Sequence, residues 1–450
     1  MAMLIKFGNY NKYYKYIIFS CIFNYLSYYV SFGDLSKFLF SLGIFDNKNI
    51  EVIDDLYSHP FLMDIFNYIF IIIISIILHK INEKKTLAHK QNNANKIEEN
   101  DYRISLIHYG IKNINRSISC LNLYFILCYW IIIDHITSLI QSLMIFDYWM
   151  FELLFISLIS SKILKISLYN HQKLGIIINS LSCLIMRMII LIAYIFYYDD
   201  KFNDILFFIK HKWSIPLSII IYLFLVSSTS YIYTKLKFYM DLKFISLTKL
   251  LIIYGSLGFA FTSIACVIET NFKCVGSEKQ FFCQIRELNV DGKYDYYIEN
   301  SRIFFKTFSN LEKKDFIIEV FICFFEIIIY YCSLYFDMLV INYLTPMHFM
   351  FSSLIYVFIY ELKNLINNII DKKRVFLQTL NISSYIFSLI GFMIYLEIIE
   401  LNFCKLNHNL RKYIKERSAK DMNVNIIRDS INSDDDDDNS EINIELPLNK

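Results

Sequence analysis

The chain carries 450 residues, 56% of them hydrophobic, with 41 Phe, 35 Tyr and a mean hydropathy of +0.41. A net charge of +2 and the lack of any basic, Gly-rich or phosphate-cradling motif exclude nucleic acid from the expected partners. Repeated apolar runs of about 20 residues, helical in pattern and not alternating, predict an all-α membrane protein, because helices satisfy their own backbone polar groups in lipid.

A hydropathy window predicts about ten spans, at 14–33, 60–81, 118–143, 147–165, 172–196, 213–235, 244–268, 316–338, 342–360 and 375–398. The opening stretch MAMLIKFGNYNKYYKYIIF has no small-residue cleavage site, so residues 1–13 are expected to be a cytosolic N-terminus and the first run to be retained. Residues 82–117 read as a cytosolic linker and 269–315 as an extracytosolic loop. Residues 399–450 read as a cytosolic tail, acidic and disordered where it runs NSDDDDDNSEINIELPLNK.

Basic residues set the expected orientation. Lys6 and Lys12 precede span one; Lys80, Lys84, Lys85, Lys90, Lys96, Arg103, Lys112 and Arg116 fall between spans two and three; Lys405, Arg411, Lys412, Lys415 and Arg417 open the tail. An even number of spans puts all three groups on one side, with both termini cytosolic, and DKKRV between spans nine and ten is the exception.

Most of the ten cysteines, among them Cys21, Cys128, Cys183, Cys323 and Cys332, lie inside apolar runs and read as small buried hydrophobes. No Cys/His spacing suits zinc, and neither metal nor cofactor is expected. In the long loop, Cys274 and Cys283 are disulfide candidates, with free thiols the alternative.

FISLIS at 155–160 and FSSLIY at 351–356 match at an offset of about 196 residues, and that offset carries spans one to five onto spans six to ten. Five is odd, so the halves 14–196 and 213–398 are expected to be two inverted five-helix repeats. FELLFISLISSKILKISLYNHQKLGIII, from Phe151, resembles the fourth span and following turn of the drug/metabolite transporter superfamily, in its nucleotide-sugar-transporter-like and EamA-like branch. NYLTPMHFMFSSLIYVFIYELKNLI (342–366) and LIGFMIYLEIIELNFCKLNHNLRKYIKER (389–417) are similar to its later spans in protist members.

The resemblance implies ten helices, cytosolic termini and a central cavity lined by spans one to four and six to nine. Spans five and ten would then be peripheral, where some relatives form homodimers. The cysteine-bearing loop is similar to that of chloroquine-resistance-transporter-like carriers, with fewer cysteines here. Where family members often carry an acidic residue before the Gly pair of span seven, this chain has Tyr254 before Gly255 and Gly258.

Ionisable residues inside a span are costly, so they usually face the interior and mark a path or a partner. Asp134 falls roughly 24 Å along span three at about 1.5 Å per residue, and Glu152 and Arg187 reach a similar level on spans four and five. Either Glu152 and Arg187 form a locking ion pair, or Asp134 or Glu152 meets substrate or a coupling proton, or the carboxylates snorkel to an interface. The repeat offset equates Glu152 with His348, a candidate proton-linked gate flanked by Thr345, Ser352 and Ser353. Glu326 is the deeper of two acids on span eight, and Asn24 lies with Ser27 and Ser31 on one side of span one.

No nucleophile–base pair or acyltransfer signature stands out, so an enzyme is not expected. The expected function is secondary-active carriage of a small polar or charged organic solute, a nucleotide sugar or another metabolite, by alternating access. Beside the solute, the expected partners are membrane lipids and, through His348, a coupling proton. The competing class is a membrane scaffold or receptor with structural charges. The carrier reading expects Asp134, Glu326 and His348 to share one cavity.

Overall fold

The computed structural model describes residues 11–31, 60–92, 120–140, 151–164, 168–197, 214–243, 246–272, 285–288, 294–297, 299–309, 313–370, 375–399 and 401. Its helices are α1 (Asn11–Ser31), α2 (Pro60–Asn92), α3 (Cys120–Ile140), α4 (Glu152–Ile163), α5 (Asn170–Tyr197), α6 (Ser214–Lys243), α7 (Leu247–Asn271), α8 (Ser301–Ser309), α9 (Lys313–Tyr343), α10 (Pro346–Ile370) and α11 (Val375–Tyr395). Each predicted span therefore carries a helix, and α8 is additional. Local chemistry sets several starts. Pro60 and Pro346 take the first helical position, where a missing N–H costs nothing. Ser246 caps α7 by accepting from the Lys249 N–H at 3.4 Å.

Among the described residues, five stretches are long and apolar enough to cross a membrane: Leu62–Asn82, Ile219–Met240, Leu247–Asn271, Lys313–Tyr343 and Pro346–Ile369. Their outward faces carry Ile77, Ile220, Ile264 and Phe321, all exposed, while serines, threonines and carboxylates sit inside. This inside-polar, outside-apolar arrangement is what a lipid solvent selects.

Three expectations change. α2 runs on to Asn92, so the predicted linker at 82–117 begins as helix; KINEKKTLAHKQN is rich in good helix formers. α4 spans only 12 residues among those described. The 269–315 segment is not purely irregular and the protein is not purely helical: β1 (Ile285–Leu288) pairs antiparallel with β2 (Tyr294–Tyr297), Ile285 opposite Tyr297. The Asp291-Gly292 dipeptide between them is a strong short-range hairpin signal. Cys274 and Cys283 lie outside the described residues.

The helices pack in a repeating scheme. The main interfaces are α5 with α11, α2 with α7, α1 with α9 and α10, α10 with α11, and α6 with α4; smaller ones join α6 to α3, α3 to α7, α2 to α9, and α4 to α5 and α10. Exchanging each helix for the one five spans away (α1 for α6, α2 for α7, α3 for α9, α4 for α10, α5 for α11) maps this set onto itself. The extents are unequal: α1–α9 and α10–α11 are several-fold larger than their counterparts α6–α3 and α4–α5, and contacts of α9 with α6 and α10, and of α6 with α10, have no first-half counterpart of similar extent.

Glycines bring two of these pairs close. Gly175 of α5 faces Gly391 of α11, and a Cβ at 391 would lie 2.8 Å from the Asn179 backbone nitrogen. Beside them Asn179 Nδ2 donates to Ser388 Oγ at 2.5 Å, a polar contact that joins the two helices. On α7, Gly255 and Gly258 receive α2: Ile71 and Ile72 border Gly255, and the Tyr68 ring lies flat on Gly258. The hairpin leads into α8, whose Phe304 tucks against Leu62 and Cys266 and closes that end of the α2–α7 pair.

Candidate functional site

Two polar groups are built inside the bundle. The first lies toward the hairpin end. Asp64 stands about one turn into α2 and Asp134 about two turns before the end of α3, and antiparallel packing brings these carboxylates to face each other. The Tyr254 hydroxyl donates to Asp134 Oδ2 at 3.4 Å, the Trp130 indole N–H also donates to Asp134, and Asn67 bonds Asp64. Tyr68, Tyr254 and Tyr330 join hydroxyls, with Thr262 bonded to Tyr68. Tyr68 and Tyr254 are buried, whereas Asp64, Asp134 and Tyr330 are half-buried.

An aromatic run leaves this group for the second half. Trp130 lies 4.3 Å from Tyr254 and 5.9 Å from Tyr233, and Tyr233 lies 4.8 Å from Phe349. Above the carboxylates His135 Nε2 meets Glu269 Oε1 at 3.0 Å, with Glu299 buried before α8. Like charges this near one another disfavour joint ionisation. A carboxylate pair ringed by phenols and indole suits a proton or a cationic group. Among the described residues no set of His, Cys, Asp and Glu is arranged to hold a metal ion.

The second group joins α1, α9 and α10 nearer the opposite end. Ser20 Oγ and Asn24 Nδ2 donate to Asp337 Oδ1 at 2.6 and 2.7 Å, and Ser333 Oγ donates to Asn24 Oδ1 at 2.8 Å. Ser20 and Ser352 hydroxyls are 2.9 Å apart. Asp134 and Asp337 each stand six residues before the end of their helices, α3 and α9, which exchange under the five-span relation.

The expected residues distribute unevenly over these groups. Asn24 and Ser352 meet in the second. Asp134 belongs to the first. Thr345 Oγ1 and His348 Nδ1 bond side chain to side chain at 2.8 Å at the start of α10. Glu326 is buried on α9, about one turn before Tyr330 and beside Cys323. Asp134, Glu326 and His348 thus sit in three different surroundings.

Glu152 is 1% exposed, and among the described residues its Oε1 has no hydrogen-bond partner; the expected pairing with Arg187 falls outside them. α4 turns toward α6 and α10, while α5 commits its length to α11. Arg187 lies on α5, and its side chain is outside the described residues.

Sequence reasoning missed Asp64, Asp337 and Lys237. Both aspartates fall within predicted spans, the same signal that singled out Asp134. Lys237 lies two residues beyond the predicted end of span six, yet it is 1% exposed and its Nζ donates to the Asn342 carbonyl at 2.5 Å. A cation there offsets the negative end of α9.

Fold and interior together define a helical membrane protein with buried polar groups at two levels. No family model, curated protein or solved structure matches the chain.

Proposed function

We propose that the protein is a secondary-active carrier of a small polar or charged organic solute, working by alternating access between two inverted five-helix repeats. The observation that carries this reading is the helix-pairing scheme, which maps onto itself under a five-span exchange and places an aspartate in the bundle toward each end. An inverted repeat generates such pairing because an odd number of spans reverses each half. The half-buried Asp64, Asp134 and Tyr330 offer groups to a solute between α2, α3, α7 and α9. Resemblance to the drug/metabolite transporter superfamily agrees with this reading; it implies cytosolic termini, and homodimers through α5 and α11.

A membrane scaffold or receptor is the second reading. It is favoured by the separate surroundings of Asp134, Glu326 and His348 and by the bonded state of the Asp337 group. Uptake into proteoliposomes, offered nucleotide sugars, amino acids and organic cations in turn, separates the two. The carrier reading expects saturable uptake of at least one class, lowered at least about tenfold by Asp134→Asn. Folded protein that accumulates none of them supports the scaffold.

A further inference from the structure

Hydrogen bookkeeping around Asp337 leaves one hydrogen missing. Three oxygen contacts run in series: Asp337 Oδ1 to Ser20 Oγ at 2.6 Å, Ser20 Oγ to Ser352 Oγ at 2.9 Å, and Ser352 Oγ to the Phe349 carbonyl at 2.6 Å. Each needs a hydrogen between its oxygens, and two hydroxyls supply only two. With Asp337 ionised, one contact sets lone pair against lone pair. Ser20 and Ser352 are fully buried, so no bulk water relieves it.

We infer that Asp337 binds a proton at this position. The acid then donates to Ser20, Ser20 donates to Ser352, and Ser352 donates to the Phe349 carbonyl, so every contact carries its hydrogen. Asn24 Nδ2 still donates to the carboxyl group. No ion pair reaches Asp337 among the described residues, and a bare carboxylate at this depth is costly.

The groups around it are accounted for. From α1, the Cys21 thiol donates to the Ser352 carbonyl at 3.3 Å. On α10, His348 stands one turn before Ser352 and is held by Thr345. From α6, Lys237 is engaged by the Asn342 carbonyl, and on α9 itself Glu326 lies about three turns earlier.

The chain of hydrogens crosses from α1 to α9 and α10, that is, between the two halves. Release of the proton breaks it and loosens that joint. Resting on the carrier reading, this makes Asp337 the group whose proton couples to solute movement; the bound proton itself does not depend on that reading.

Infrared difference spectra of the purified full chain, acid minus alkaline, test the proposal without any solute. A protonated-carboxyl band that disappears in Asp337→Asn is expected. Ser352→Ala, which keeps the carboxyl group, is expected to shift that band and lower its titration midpoint by about one pH unit. A spectrum unchanged by Asp337→Asn overturns the proposal, as does a midpoint indifferent to Ser352→Ala. Sodium ions that abolish the band at constant pH also overturn it, because the site then takes a metal cation. Loss of solute uptake with the band intact would remove the carrier and leave the proton site standing.

Discussion

Gly258→Val will unseat Tyr68 and destabilise the folded protein by about 3 kcal/mol. The Tyr68 ring already occupies the space where a Cβ would be built at 258, and α2 cannot back away. Ile71 and Ile72 press on Gly255 one turn along α7, and His79 meets Thr248 at 3.1 Å further on. Tyr68 is 6% exposed and bonded to Tyr254 and Thr262, so moving it opens a hole and strips two hydroxyls of partners. Denaturation of the detergent-purified protein measures the loss. Adding Tyr68→Ala should recover part of it, because the ring is what the valine meets. A Gly258→Val protein as stable as the original would mean that α2 and α7 do not pack through this seam.

Asp134→Asn should have the opposite effect on stability and a severe one on function. Asp64 and Asp134 repel each other electrostatically, so a neutral amide at 134 removes that repulsion and part of a desolvation penalty. The expected gain is about 1–2 kcal/mol at neutral pH, shrinking in acid as the aspartates are protonated. Uptake should fall roughly tenfold to 100-fold, the worth of a charge-assisted contact. Such opposed effects mark a site kept for function at the expense of stability. Asp134→Asn that destabilises the fold and leaves uptake unaltered would make the carboxylate a structural group.

Much of the fold was legible because span length and apolar runs are set by the bilayer. Each predicted span carries a helix. The hairpin at 285–297 was passed over although Asp291-Gly292 announces it, since attention to hydropathy hides short turn signals. The site was only half legible. An aspartate inside a span can be found by inspection, as Asp134 was, and Asp64 and Asp337 answer to the same rule.

Which aspartates meet is a matter of tertiary packing. Asp64 and Asp134 lie 70 residues apart and come together only because α2 and α3 both pack on α7.

Tyr330, half-buried at the middle of α9, gives the most direct test of a carrier that opens to each side in turn. Tyr330→Cys, in a background free of native cysteines, would be reconstituted in sealed vesicles of one orientation and exposed to a membrane-impermeant thiol reagent. Alternating access predicts labelling from either side of the membrane. Labelling from one side only, or from neither, would contradict it.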